Sequence, residues 1–347
     1  MNATTAADAP GRLPRHAARQ GPTRGQRAWV FFLVSVLALA TAGAVTLLTT
    51  RQILNSRIEH VDFVIPQVNS PINVDDGFVD NSINVLVLGS DSRSSGGDPT
   101  NWQYGAESSD VIMVAQLSGD RESVNIMSIP RDAWVEIPGH GQDKISDAYS
   151  YGGPAGAVET VQNLMGIRID HFIVIDFASF EALTNALGGV TIHTADGPKR
   201  MNGKQALAFV RFRANLPGGD FDRIRRQQAW MQAILSEVFN QDTLSDVNKI
   251  TAMIDIVLTY SAVDAGLNFD TMLALALEAR GLRPGGVNFF SAPAEATGVV
   301  EPGGLWIATL EEDKMERISW AWQRDRVAAF LRENPGIVRT LAGEPVY

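Results

Sequence analysis

Cysteine is absent from the 347-residue sequence, which excludes disulfide frameworks and cysteine-ligated zinc or iron–sulfur centres. Histidine is sparse: His16, His60, His140, His171 and His193 show no metal-ligand spacing and read as surface or packing residues. Lysine numbers five against 24 arginines, a bias that, with the alanine and glycine content, points to a GC-rich coding genome. No Ser/Gly/Pro-rich linker divides the later part of the chain, so it reads as one domain from about 81 to 334 with a tail at 335–347. With 45% hydrophobic and 20% charged residues, the chain can bury a large core, and general disorder is excluded.

Long uncharged runs are missing except at one place. Ala28–Thr50 holds 23 residues without a charge, enough at about 1.5 Å per residue to cross a hydrocarbon core of about 30 Å. The polar tail before it (1–27) carries five arginines and one aspartate. By the positive-inside rule, the N-terminus is expected in the cytoplasm and everything after Arg51 outside. A single-pass signal anchor in the cell membrane is therefore expected. The small residues of "ATAGA" offer the rival reading of a cleavable signal peptide, but the apolar run exceeds the usual span of about 7–15 residues for one. Residues 51–80 read as a polar stalk with one short strand. Removing the tail's +4 from the net charge of −10 leaves −14 on the remainder, which argues against a nucleic-acid partner.

Strand-length apolar runs occur at Ile83–Ser90, Val111–Ser118, Ser123–Pro130, His171–Phe177 and Gly189–Thr194, with "GDRE" as a hairpin-like turn and "GVNFFSAPA" as a later strand. Helical patterns lie between them: "AGAVETVQNLMG", "FASFEALTNALGG", Arg223–Asn240, "NKITAMIDIVLTYSA", "FDTMLALALEARGL" and one long final helix, "EEDKMERISWAWQRDRVAAFLREN". The glycines of "LMGI" and "LGGV" stand where C-caps belong. The expected fold is α/β, a mixed central sheet with helices on both faces.

Four motifs carry the chemistry. In "LGSDSRSSGG" a strand runs into a polar turn bearing Asp91 and Arg93, the usual location of a site in an open α/β sheet. In "SSDVIMV", Asp110 stands at the entry to the next strand; two carboxylates on adjacent strand ends suit Mg²⁺, which takes one or two of them plus phosphate oxygens. In "SIPRDAWVEIPGHG", Pro130 sets the backbone that projects Arg131 and Asp132. The fourth, "VRFRANLPGGDFDRIRRQQ", holds five arginines within 16 residues. On an extended segment Arg211 and Arg213 leave the same face about 7 Å apart, and Asp220 or Asp222 is placed to N-cap the helix that follows. On that helix Gln227 falls within the apolar stripe of Ile224, Met231, Ile234, Leu235 and Val238, and Arg223 lies at its edge. An inward glutamine needs polar partners. Arg223 and Gln227 are therefore expected in the site, Arg226 is borderline, and Arg225 is expected on solvated surface. Guanidinium forks suit bidentate phosphate recognition.

The ordered motifs "NVLVLGSDSR", "SDVIMV", "MSIPRDAWVEIPGHGQDKISDAYSYGGP", "LMGIRIDHFIVIDFASFEALTNALGGVTI", "MNGKQALAFVRFR" and "GGDFDRIRRQQ" resemble those of the LytR-CpsA-Psr family. The resemblance is strong from Ile83 to Ser236 and looser to Asn334. It implies a membrane-anchored phosphotransferase that moves a glycopolymer from a polyprenyl-pyrophosphate carrier onto peptidoglycan. It further implies that Asp91 and Asp110 bind Mg²⁺, that Arg93, Arg131, Arg211, Arg213, Arg223 and Gln227 contact phosphate, that Asp220 orients those arginines, and that Lys144 sits in a family block. Asp222 departs from the pattern, where a small residue is expected, and the polar loop Ser94–Ser109 reads as insertion-like. The family's lipid tunnel would lie among the apolar helices.

The implied reaction is attack of a peptidoglycan hydroxyl on the sugar-proximal phosphorus with polyprenyl phosphate leaving; arginines and Mg²⁺ stabilise the developing charge. Asp110, Asp91 and Asp132 each qualify as the general base. A non-catalytic binder of the carrier lipid, a pyrophosphate hydrolase and an envelope regulator are the alternatives.

Overall fold

The computed structural model describes residues 60–61, 80–90, 109–212, 220–238, 245–282, 284–300, 305–340 and 346. The expected anchor at 28–50 lies outside them, and among the described residues no helix is long and apolar enough to cross a membrane. Residues Ile53–Tyr347 form one compact unit.

The sheet grows from the runs of β-branched residues. Strands β1 (His60–Val61), β2 (Ile83–Ser90), β3 (Ser109–Leu117) and β4 (Val124–Ile129) are followed by a hairpin, β5 (Trp134–Ile137) and β6 (Gly141–Lys144). Helix α1 (Asp147–Met165), β7 (His171–Asp176) and α2 (Phe177–Ala186) come next, then the hairpin β8 (Val190–Thr194) and β9 (Gly197–Met201). Helices α3 (Gly203–Arg211), α4 (Asp220–Val238) and α5 (Val247–Tyr260) lead to β10 (Ser261–Asp264) and α6 (Phe269–Glu278). Strands β11 (Val287–Ser291), β12 (Ala294–Val300) and β13 (Leu305–Leu310) precede α7 (Glu312–Gln323) and α8 (Val327–Glu333). The seven-stranded sheet has the order β1-β10-β7-β2-β3-β4-β11. Parallel pairs β1/β10, β2/β7 and β4/β11 mix with antiparallel pairs β10/β7, β2/β3 and β3/β4.

Alternation along the strands divides the core. Leu86, Leu88, Ile112, Val114, Met127, Ile129, Phe172 and Val174 face one side, where they pack with Val158 and Val161 of α1, Trp322 of α7 and Phe330 of α8. The intervening Met113 and Ile126 face the other side, against Phe180 of α2, Val210 of α3 and Trp230 of α4. Helices thus cover both faces, as the sequence pattern predicts. A third cluster joins α5, β10 and α6 through Leu258, Val263 and Phe269.

At the sheet end where β2 begins, Asn84, Gln116, Asn125 and Asn288 occupy paired positions on β2, β3, β4 and β11. Asn125 Nδ2 donates to Gln116 Oε1 (3.3 Å) and Asn288 Nδ2 to Asn125 Oδ1 (2.9 Å). The fully buried Trp322 donates its indole N–H to Asn84 Oδ1 (2.8 Å), and its carbonyl accepts from Gln116 Nε2 (3.0 Å). A one-residue slip would strand these buried amides without partners, so the ladder fixes strand register.

Three elements differ from the sequence reading. Helix α1 starts eight residues earlier than "AGAVETVQNLMG" and kinks at Gly153 (φ 60, ψ −151), because Pro154 cannot donate to the turn before it. The helix ends at Tyr260, so "SA" leaves it, and Ser261–Val263 pair with Ile175–Ile173 of β7. The long final helix is broken into α7 and α8 at Asp325, which takes a left-handed φ of 51. Its carboxylate accepts the Gly119 N–H (2.8 Å) in the β3–β4 turn, so a tertiary contact overrides helix periodicity. Val338 and Val346, from the segment read as a tail, are buried in the two cores, and Val346 bridges Thr194.

Burial pushes the Asp325 carboxyl up to about 6, opposed by the Gly119 N–H and reinforced by Asp80 and Asp120. A carboxyl raised above its unfolded value of about 3.9 keeps its proton longer in the folded chain, so folding stability falls as pH rises from about 4 to 6. Asp325→Asn is expected to flatten that fall by on the order of 1 kcal/mol, the full shift being discounted for solvent screening. Chemical denaturation of both proteins at pH 4, 5, 6 and 7 measures the difference; parallel curves would remove Asp325 as the cause.

Candidate active site

Strands β2, β7, β4 and β11 all end at one edge of the sheet, and antiparallel β3 begins there. This is the edge at which open α/β sheets place ligands. The β2–β3 register changes at this edge: Gly89 pairs with Val111, but Ser90 pairs with Ser109. Asp110 is therefore the extra residue of a β-bulge, which turns its side chain out of the ladder. Gly89 permits the approach, since a Cβ there would lie 2.7 Å from Val111 Cβ. Ser109 is fully buried, and its hydroxyl bonds the carbonyls of Gly89 (3.1 Å) and Val111 (2.8 Å) across the bulge.

Arg131, just beyond β4 and Pro130, forms an ion pair with Asp110 through Nη1 and Oδ1. Its Nε lies 3.8 Å from Asp132 Oδ1, which accepts from Lys144 Nζ at 2.7 Å. The β5–β6 register, Trp134 opposite Lys144, delivers that lysine to the aspartate. The backbone is pinned in turn: Ile145 N–H donates to the Ala133 carbonyl (2.8 Å) and Ser146 N–H to that of Arg131 (3.1 Å). All four side chains are mostly buried, with 14–25% of their surface exposed. Charge-assisted bonds in so partly dried an edge are stronger than surface ion pairs.

Asp110 also lines a small apolar pocket, about 60 Å³, between the sheet and α4. Val87, Met113 and Ile175 form its sheet side; Phe180, Val210, Trp230 and Met231 form its helical side, with Gln227 among them. Phe180 and Trp230 stack with centroids 3.7 Å apart, and the Trp230 indole N–H is satisfied by Thr184 Oγ1 at 2.9 Å. Gln227 on the inward face of its helix follows the helical spacing.

Of the sequence-predicted residues, the structure thus brings together Asp110, Arg131, Asp132, Lys144 and Gln227. Asp91, Arg93 and Arg213 lie outside the described residues. Asp220 and Arg223 fall in the first turn of α4, where their side chains are not among those described. Arg211 is not on an extended segment, as the spacing argument required; it ends α3 with its side chain exposed, one residue after the pocket-lining Val210. The reason is local: Asn202 and Gln205 form a capping box that starts an amphipathic helix through "VR".

Arg225 is not solvated surface. Its Nη2 lies 2.6 Å from Oδ1 of Asp222, whose side chain is 2% exposed. Neither Asp222 nor Asp220 is the N-cap, because α4 already begins at Asp220. Arg226 is 7% exposed; its guanidinium lies 4.4 Å from the Phe209 ring centroid and donates to the Phe209 carbonyl (2.9 Å), tying α4 to the end of α3. Burial lowers its affinity for its proton, and Asp222 opposes that shift. With Lys199 and Arg200, Arg226 lines a different surface groove.

The described residues contain no group of three or more His, Asp or Glu that could hold a metal. One carboxylate, Asp110, ion-paired with Arg131, fits an ion such as Mg²⁺ only where that ion draws most of its ligands from phosphate oxygens and water.

A profile of the LytR_cpsA_psr family matches residues 55–323. The chain belongs to that family. Regulatory protein MsrR of Staphylococcus aureus is 32% identical over 242 residues, 64% of this chain and 69% of that protein. The polyisoprenyl-teichoic acid–peptidoglycan teichoic acid transferase TagU of Enterococcus faecalis is 33% identical over 209 residues, 56% of this chain and 65% of that protein. Among solved structures, TagT bound to LI-WTA is 25% identical with a TM-score of 0.59, covering 77% of this chain and 99% of that one. The B. subtilis TagV crystal structure shares the fold, with a TM-score of 0.61 over 72% of this chain and 98% of that one at 22% identity.

The Asp222–Arg225 pair yields a measurable difference. Arg225→Ala leaves a buried carboxylate less compensated and is expected to cost about 1–3 kcal/mol of stability. Adding Asp222→Ala should recover part of that loss, a coupling of about 1 kcal/mol in a double-mutant cycle read by urea unfolding. A thermodynamically silent Arg225→Ala would return that residue to the solvated surface.

Proposed function

We propose that this protein is a phosphotransferase that moves a glycopolymer from a polyprenyl-pyrophosphate carrier onto peptidoglycan and releases polyprenyl phosphate. The observation that carries this reading is the meeting of a cation-bearing sheet edge with an apolar pocket at Asp110. Such a junction suits an amphiphile whose anionic head sits at the edge and whose first tail carbons enter the pocket. The family membership and the transferase name of its enterococcal relative support the same reaction class. The chain would work from the outer membrane surface, held by residues 28–50.

Arg131 neutralises the donor pyrophosphate, with Arg211, Arg213, Arg223, Arg93 and Gln227 as further phosphate contacts and Asp220 orienting them. Asp110, with Asp91, would hold Mg²⁺, which supplies charge neutralisation of the phosphate oxygens when bound. Asp132 is the general base: both carboxylates are ion-paired, Asp110 to Arg131 and Asp132 to Lys144, but only Asp110 is assigned to the metal, which leaves Asp132 for the proton. The acceptor hydroxyl attacks the sugar-proximal phosphorus as its proton passes to the Asp132 carboxylate. The bond from that phosphorus to the bridging oxygen breaks, and the pair of electrons leaves with polyprenyl phosphate.

Transfer of a labelled glycan from a polyprenyl-pyrophosphate donor to peptidoglycan tests the reading. Asp132→Asn should lower kcat by roughly 10²- to 10⁴-fold with donor affinity nearly unchanged. Arg131→Ala should weaken donor binding by roughly 10- to 150-fold, and Arg131→Lys should restore little of it. Binding of donor without any transfer by the wild-type chain would make it a lipid binder; release of glycan phosphate to water despite acceptor would make it a hydrolase.

A further inference from the structure

An open cleft of about 1040 Å³ lies beyond the hairpin that carries Lys144, at the upper end of the range of about 300–1,000 Å³ for ligand clefts. One wall is a stripe of α7. Glu312, Glu316, Ser319, Trp320 and Gln323 fall within a quarter turn or so of one another at 100° per residue, and all line the cleft. Trp134 and Gln142 of the β5–β6 hairpin face it from another side, with the Trp134 indole N–H donated to Gln142 Oε1 at 3.0 Å. The C-terminal turn of α1 adds Asn163.

The lining has a definite chemistry. Trp320 is 50% exposed although it is the largest kind of side chain, and nothing in the core requires it. Ser319 is 7% exposed, and its hydroxyl has no hydrogen-bond partner, an uncommon condition for a buried polar atom. Three carboxylates, Glu136, Glu312 and Glu316, line the cleft, and among the described residues no lysine or arginine does. That field repels a phosphate-rich polymer and accepts an uncharged one. Flat aromatic faces beside amide and carboxylate groups suit pyranose rings, whose faces are apolar and whose rims bear hydroxyl and acetamido groups.

The cleft adjoins the proposed base. Trp134, which lines the cleft, opens its strand two residues after Asp132, which lies in the preceding turn. The Asp132 carbonyl accepts the Ala308 N–H (2.8 Å), and the next residue, Thr309, lines the cleft. We infer that this cleft is the acceptor subsite, binding an uncharged chain of N-acetylated sugars so that its hydroxyl reaches Asp132. The acceptor role rests on the phosphotransferase reading; the sugar binding does not.

The probe is a linear tetramer of β-1,4-linked N-acetylglucosamine, titrated into the full-length chain in detergent and followed by tryptophan fluorescence and calorimetry. Saturable binding is expected, weakened by roughly tenfold or more in Trp320→Ala. Glu316→Gln, which keeps shape and removes charge, should bind the tetramer but admit competition by soluble poly(glycerol phosphate), which does not compete in the wild type. Asp110→Asn should abolish transfer while leaving tetramer affinity within about twofold. Absence of saturable binding to the wild type, or equal affinity in Trp320→Ala, overturns the subsite. Tetramer binding in a wild-type chain that transfers nothing from a lipid donor would instead overturn the phosphotransferase reading and leave the sugar site standing.

Discussion

The contact between Gly89 and Val111 is the constraint on which the site depends. Two strands approach so closely there that no side chain fits at position 89, and the ladder slips by one residue immediately afterwards. Asp110 leaves the ladder at that slip and meets Arg131 from the neighbouring strand end. Everything else at the edge is arranged around this pair: Ser109 seals the bulge through backbone carbonyls, and the β5–β6 hairpin brings Lys144 to Asp132. At the opposite end of the strands the amide ladder from Asn84 to Asn288 fixes the register from which the slip is measured.

Burial sorts the charges of the arginine-rich segment into different tasks. Arg225 compensates Asp222, a carboxylate that would otherwise be costly to bury. Arg226 spends its guanidinium on Phe209, both ring and carbonyl, and so fixes the angle between two helices. Two of the five arginines therefore hold α4 in place, and the placement of α4 puts Gln227, Trp230 and Met231 on the pocket. Concentrated charge here serves the fold.

Much of this was legible in the residues. Strand runs and glycine stops announced the central strands and the ends of α1 and α2, because local geometry and core-facing alternation agree there. Asp110, Arg131 and Asp132 stood out because carboxylates and guanidiniums at the ends of apolar strands have few purely packing roles. The helical form of Arg211 was also readable, since Asn202 and Gln205 spell a capping box, and the Asp222–Arg225 pair shows an i, i+3 spacing. Other features depend on partners distant in sequence. The bulge needs Val111 opposite Gly89, and the break at Asp325 needs the Gly119 amide. No single stretch contains both halves of those contacts.

The central claim is that the junction at Asp110 receives the head of an anionic lipid whose tail follows α4. A crystal structure with a short-chain polyprenyl pyrophosphate tests it most directly. The account predicts the diphosphate within hydrogen-bonding distance of Arg131 and the hydrocarbon between Val87, Phe180 and Met231. A diphosphate seated instead in the Lys199–Arg200–Arg226 groove, or a tail lying outside the pocket, would contradict it.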